Sequence, residues 1–302
     1  MHSDNARGAI LMMAGAAAFT VSDAIMKVLG AQLPMFQTLV WRGLAVCLVL
    51  GLMALRAGAF RVRLTRHDRA LVVLRAAADT ASTWFFLKAL YQMPIANLNA
   101  IMQALPLTLT LGAALFLGES VGWRRLVAIG LGFVGVLLIV RPDADGFDLY
   151  SIYALICVAL VTMRDLLTRR MSRSVPSLLV ALANAGFVTL FGMAGLPTET
   201  LVMPGFATTL LLAGTAAFIV AGYLLTVTAV RTGELWFVTP FRYTGLVWAL
   251  LLGLALFAEW PDALTLTGAA LIVGTGLFTL YRERQARLAA ARSRAASMPK
   301  AR

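Results

Sequence analysis

Asp23 and Lys27 stand four residues apart inside the apolar phrase AFTVSDAIMK, and Asp165 and Arg169 repeat the spacing 142 residues later in ALVTMRDLLTRR. An acid and a base at i and i+4 share a helix face, so each couple can neutralise itself locally. Alternatively, each member reaches across to another helix and forms half of a gate; the sequence leaves both readings open. Arg75 and Asp79 are a third couple at the same spacing, whereas Arg42, beside Trp41, has no acid nearby in sequence. Asp23, at similar depth, is its candidate partner, and Asp23 and Asp79 are the acids that could couple protons. Further polarity clusters in two places. One is Asn99 and Gln103, on one helix face, followed by Pro106; the other is Trp236, Thr239, Pro240, Arg242 and Tyr243. Amides can hydrogen-bond a zwitterionic solute without a full charge penalty, and a guanidinium such as Arg242 can hold a carboxylate bidentately; an internal ion pair with Asp79 is the other reading of Arg242. Trp84, Phe85, Phe86 and Tyr223 could wall an apolar cavity. Pro106 and Pro240 each free a backbone carbonyl and permit a kink. This chemistry is binding and gating, without bond making. Only His2 and His67 carry imidazole, both outside the apolar runs, and Cys47 and Cys157 lack metal-ligand spacing. No catalytic residue, metal or cofactor is expected.

These groups lie in a chain of 302 residues that is 60% hydrophobic and 13% charged, against about 25% charged in a soluble domain. Ten apolar runs are legible, at roughly Gly8–Leu29, Pro34–Leu55, Ala70–Leu90, Pro94–Leu117, Trp123–Val140, Leu149–Leu167, Pro176–Leu196, Gly205–Val230, Leu235–Ala258 and Ala263–Tyr281. Each is long enough for a hydrocarbon layer about 30 Å thick. No run alternates with a strand period, which excludes a barrel. An ionisable side chain in such a run costs about 2.5–3.5 kcal/mol on insertion scales, so each one above needs a partner or water. Of the 26 Lys and Arg residues, 19 fall in segments that alternate spans place on one side, while Asp143, Asp145, Asp148, Glu199, Glu259 and Asp262 fall on the other. The positive-inside rule then predicts cytoplasmic termini. It also accounts for the net charge of +12 without nucleic acid. The basic tail after Tyr281 is suited to anionic headgroups.

The chain also repeats itself. ALFLGESVGW is echoed 140 residues later by LALFAEWPDA, pairing Glu119 with Glu259. Two similar halves with five spans each must enter the membrane in opposite senses. The expected organisation is therefore a first repeat over 1–142, a second, inverted repeat over 148–281, and a basic cytoplasmic tail over 282–302. Gly- and Ala-rich spans close each half (AIGLGFVGVLL and LTGAALIVGTG) and predict close helix approach, within a monomer or at a homodimer face.

The Pro thirteen residues before the acid in Pro106…Gly118-Glu119, the LGE-like ending repeated as Phe257–Glu259, and the Gly-rich span after each resemble the drug/metabolite transporter superfamily, EamA type. PFRYTGLVWALLLG (Pro240 to Gly253) also resembles the ninth helix of bacterial members. One departure is that Leu246, not a proline, corresponds to Pro106, so the two kinks are not equivalent. The resemblance covers residues 8–281. It implies an all-α polytopic protein of ten helices in two inverted five-helix repeats, acting as a secondary exporter of small metabolites by alternating access. Its YddG-like branch of aromatic amino-acid exporters fits an apolar, aromatic-lined cavity between the third, fourth, eighth and ninth helices. Other branches move riboflavin, sugars or toxic amphiphiles, some by proton antiport. The expected partners are a small-molecule substrate and lipid, and the expected location is a bacterial-type inner membrane. A membrane-embedded enzyme, channel or scaffold is the alternative class; it would need histidines, paired acids or rings of like charge that the spans lack.

Overall fold

The computed structural model of the chain describes residues 2–118, 122–141, 148–172 and 174–296, without the side chains of 2–3, 235–236, 283–284 and 286–296. Glu119, Asp143, Asp145, Arg173 and the side chains of His2 and Trp236 therefore lie outside the described residues. All regular structure among the described residues is helical: α1 (His2–Gly30), α2 (Met35–Arg56), α3 (Arg66–Leu90), α4 (Ile95–Met102), α5 (Leu105–Leu117), α6 (Trp123–Val140), α7 (Leu149–Arg170), α8 (Ser177–Gly195), α9 (Phe206–Thr232), α10 (Leu235–Val238), α11 (Thr244–Phe257) and α12 (Ala263–Ala296). They provide ten stretches long and apolar enough to cross a membrane. In lipid a helix satisfies its own backbone groups, which is why apolar runs of this length settle as helices. Leu48, Leu52 and Leu55 on α2, and Leu115 and Phe116 on α5, are exposed. Apolar surface this extensive needs lipid to cover it. The chain is a multi-pass membrane protein. With ten such stretches among the described residues, the start of the first and the end of the tenth fall on one face, called the terminal face; the opposite face is distal.

Two spans differ from the single helices expected. The fourth breaks between α4 and α5, where Gln103 N–H is shared between the carbonyls of Asn99 and Ala100 and Ala104 N–H turns back to Ile101. Pro106, in the first turn of α5, has no N–H to continue the ladder. The ninth span begins as α10, tightens to a 3₁₀ turn over Thr239–Tyr243 that contains Pro240, and resumes as α11. Although the two prolines are not equivalent, the helices beyond them end alike. α5 stops at Gly118 and α11 at Ala258, 140 positions apart, both left-handed with φ of 69° and 52°. The tail does not end the last helix, because α12 continues through it to Ala296.

The most extensive helix pairings are α1 with α9, α3 with α7, α6 with α12 and α2 with α8. Exchanging the first five spans for the last five turns the first two pairings into each other and leaves the others unchanged. The α6–α12 contact forms within one chain, at glycines. A methyl group on Gly135 would lie 2.7 Å from the Gly268 carbonyl oxygen, and one on Gly268 would lie 2.5 Å from that of Gly135. Backbone cannot yield as a flexible side chain does, so Gly135→Ala is expected to lower stability by about 1–3 kcal/mol, read as an earlier thermal unfolding in detergent. Gly130→Ala, on open space, should leave the midpoint unchanged.

Packing density is uneven along the bundle axis. Met26, Leu29, Leu39, Leu87, Leu90, Ile95, Leu98 and Ile101 are among the largest fully buried side chains. All come from the distal ends of α1, α2 and α3 and from α4. The distal half is therefore a solid core, and the open space lies toward the terminal face.

Candidate functional site

That space is a cavity of about 740 Å³, within the range of about 300–1,000 Å³ usual for small-molecule sites. Phe19 of α1 and residues of α2, α3, α7, α8 and α9 line it, and Thr168, Met171, Ser172, Val175 and Ser177 bring it to the terminal face. Its walls are largely aliphatic (Val46, Val180, Ile219, Val220), with a polar stripe of Arg42, Arg75, Asp79, Arg164, Asn184 and Tyr223.

The stripe follows from antiparallel packing of α3 on α7. Positions four apart on one helix meet positions four apart on the other, so Arg75 faces Thr168 and Asp79 faces Arg164. Arg75 Nε donates to Thr168 Oγ1 at 2.8 Å. Arg164 Nη1 donates to Asp79 Oδ1 at 2.6 Å, and its Nε donates to Asp165 Oδ1 at 2.9 Å. Asn184 Nδ2 donates to Asp79 Oδ2 at 2.9 Å. Asp79 thus ties three helices together, and the local Arg75–Asp79 couple read from the sequence is replaced by partners across the interface.

The distal face is closed by acids acting on helix N-termini. Pro34 and Pro94 precede α2 and α4, and neither supplies a side-chain cap. The open first-turn N–H groups are served from far along the chain. Glu199 accepts from Phe36 N at 3.0 Å and Gln37 N at 3.1 Å, and Glu259 Oε2 accepts from Ile95 N at 3.0 Å. A carboxylate at this end of a helix also complements its dipole. The other oxygen of Glu259 receives Lys27 Nζ at 2.6 Å; Lys27 also donates to the Met93 carbonyl and lies over the Phe257 ring. Nearby, Arg141 pairs with Asp262, which caps α12 through Thr265 N. The Arg141 guanidinium and this N–H hold the Asp262 carboxyl well below the usual carboxylate range.

The other candidates separate by location. Asp23 does not meet Lys27; it acts through space on Arg42, with no direct bond between them among the described residues. Tyr223 lines the cavity and donates to the Ser177 carbonyl at 3.1 Å. Trp84 turns away from the cavity to pack on Phe85 and Tyr153, so the cavity is less aromatic than expected, holding Phe19 and Tyr223. The fourth and ninth spans do not line it either, because they pack on each other, the fourth also on α7 and the ninth also on α1. Asn99 Nδ2 turns back to the Ile95 carbonyl, and Gln103 faces Gly245 across the two helix breaks. Tyr243 presses its hydroxyl toward Gly276 and borders a separate apolar pocket of about 280 Å³. Thr239 lies in the 3₁₀ turn. Arg242 is exposed, and Asp165, not Asp79, is the acid whose field reaches it. Arg169 is exposed in the last turn of α7. Arg164 and Asn184 were not singled out as site residues; the adjacent Arg164-Asp165 was the available signal for the first, and Asn184, in an apolar span, gave none.

Residues 6–141 match the model of the EamA-like transporter family. A riboflavin transporter of Brucella anthropi is 27% identical over 79% of this chain and 85% of its own length. An S-adenosylmethionine uptake transporter of Rickettsia felis is 26% identical over 64% of this chain and 65% of its own length. A pseudopaline exporter of Pseudomonas aeruginosa is 27% identical over 88% and 93%. One crystal structure shares the fold, with a TM-score of 0.60 over 90% of this chain and 98% of its own at 20% identity. A ten-span bundle around a metabolite-sized cavity, with these sequence matches, marks the chain as a small-molecule transporter and not an enzyme, similar over residues 6–141 to the EamA-like transporter family.

Proposed function

We propose that the protein is a secondary transporter exporting small metabolites, amino acids with aromatic or hydrophobic side chains or related amphoteric compounds, by alternating access. Two inverted five-helix halves, residues 1–142 and 148–281, rock about the cavity, and the described conformation is the one open to the terminal face. The observation that carries this reading is the contrast between the two ends: a cavity reaching one face and a closure at the other by Lys27, Glu259 and Glu199. The symmetric helix pairing supports the inverted halves, as a pseudo-two-fold axis requires. Basic residues on the terminal side favour a cytoplasmic location for that face in a bacterial-type inner membrane, where the open cavity would load substrate for export. Relatives named for uptake and for export leave direction to the gradient. Aliphatic walls and a charged stripe suit a solute with an apolar body and a charged end.

Counterflow into proteoliposomes of labelled phenylalanine, leucine, riboflavin and S-adenosylmethionine tests the reading. Saturable exchange is expected for at least one amino acid, and repeating the assay across an imposed pH gradient assigns proton coupling. Folded protein that exchanges neither amino acid would refute the substrate class; exchange of riboflavin or S-adenosylmethionine alone would move it to another branch of the family.

A further inference from the structure

The cavity lining holds three guanidinium groups, Arg42, Arg75 and Arg164, against one carboxylate, Asp79. They are not equally compensated. Arg164 is held by Asp79 and, from behind, by Asp165. Arg42 feels Asp23. Arg75 has only the Thr168 hydroxyl as a hydrogen-bond partner, and its Nη1 is buried without one among the described residues. The acids near it, Asp79 and Asp165, are engaged elsewhere: Asp79 by Arg164 and Asn184, and Asp165 by Arg164. Beside this stripe Asn184 keeps its Oδ1 buried and unpartnered, because its amide nitrogen is bound to Asp79. Buried polar atoms ordinarily find partners. Here an unmatched cationic donor and an unmatched acceptor belong to one cavity.

We propose that Arg75 is the anchor for an anionic oxygen group of the transported solute, a carboxylate or phosphate, with the Asn184 carbonyl receiving a donor on the same solute. This deepens the transport reading and rests on it. It also moves the anion site from Arg242 in the ninth span, which is not among the cavity-lining residues, to the third span. A guanidinium suits the task because its planar fork matches two oxygens at once.

The test reads the local field and does not depend on knowing the substrate. Ala181 lines the same cavity on α8. Ala181→Cys is made in the full chain with Cys47→Ser and Cys157→Ser, and is labelled from the terminal side with sulfonatoethyl and trimethylammonioethyl methanethiosulfonate. The anionic reagent should react faster, relative to its rate with free thiol, than the cationic one. Arg75→Gln should lower that ratio about tenfold, as expected for one charge removed several ångströms away in a partly screened cavity. Arg75→Lys should retain most of it. Benzoate or inorganic phosphate should slow the sulfonate's reaction only when Arg75 is present, and whichever protects better names the group. A preference for the cationic reagent, or a ratio indifferent to Arg75→Gln, overturns the anion site while leaving the transport reading intact. Inaccessibility of Ala181→Cys to both reagents overturns the cavity and the transport reading with it. If Arg75→Gln fails to fold, Arg75→Lys decides in its place: benzoate and phosphate protection weakened while the ratio is kept is expected from loss of the planar fork, and protection equal to that of the Arg75 protein overturns the anchor.

Discussion

Asp79→Ala should abolish counterflow and lower the stability of the bundle by about 3 kcal/mol, the low end of the range for removing one partner of a buried ion pair. The low end applies because the pair borders the cavity, with side-chain exposures of 22% for Arg164 and 17% for Asp79. Two losses combine. Arg164 keeps Asp165 but loses its 2.6 Å partner, and Asn184 Nδ2 is left without an acceptor. Since Asp79 joins α3 to α7 and α8, the loss falls on the contacts that hold the cavity in shape. Thermal unfolding in detergent measures the stability term and proteoliposome counterflow the functional one. Asp79→Asn separates them, as its amide can still accept from Asn184 while the charge is gone. Its stability should lie between those of wild type and Asp79→Ala. A double-mutant cycle with Arg164→Gln should give a coupling of about 1–3 kcal/mol; additive single effects would mean that the pair contributes nothing beyond two independent polar residues.

The sequence made the spans legible because lipid imposes a requirement on every residue of a crossing helix, and composition alone registers it. Boundaries at Pro34, Pro94 and Pro176 were readable for a similar reason, since proline has a strong local meaning at a helix start. Direct partners were not readable. The local i,i+4 spacing suggested Asp23 with Lys27 and Arg75 with Asp79, while depth alone suggested Asp23 with Arg42, which do act on each other through space. In the bundle, Lys27 goes to Glu259 and Asp79 to Arg164, 232 and 85 residues away, because helix register decides which charges face each other. A better signal lay in the same prolines. A helix that starts after Pro34 or Pro94 without a capping side chain needs an acceptor from elsewhere, and the acids at Glu199 and Glu259 were the ones available on that face. The third and eighth spans line the cavity as expected, and the fourth does not for a related reason: its amides signalled polarity, but Asn99 spends it on its own helix, whereas Asn184 turns it toward Asp79.

Glu259→Gln should open the distal face, and this is the direct test of the closure. Lys27 and Glu259 have side-chain exposures of only 10% and 22%, and their contact joins α1 to the end of α11. Glutamine retains an acceptor for Ile95 N, so the substitution removes charge more than capping. Lys27 then keeps the Met93 carbonyl and the Phe257 ring, both neutral. A charged hydrogen bond of this kind contributes about 1.5–3 kcal/mol. Its loss penalises only the state in which the distal face is shut, since an open face would expose both groups to water in any case. At about 2 kcal/mol the ratio of distally open to closed protein rises roughly 30-fold. Ala24, 1% exposed and three residues before Lys27 on α1, reports it. Ala24→Cys, with Cys47→Ser and Cys157→Ser, should react with a membrane-impermeant maleimide from the distal side roughly 30 times faster when Glu259→Gln is added, because slow labelling through a rare state follows its population. Lys27→Met should accelerate it as well, and combining the two should add little, since either one already removes the pair. Labelling that stays at the parent rate in Glu259→Gln would mean that the distal core of Met26, Leu29, Leu39 and Leu98 holds the face shut without help from the ion pair.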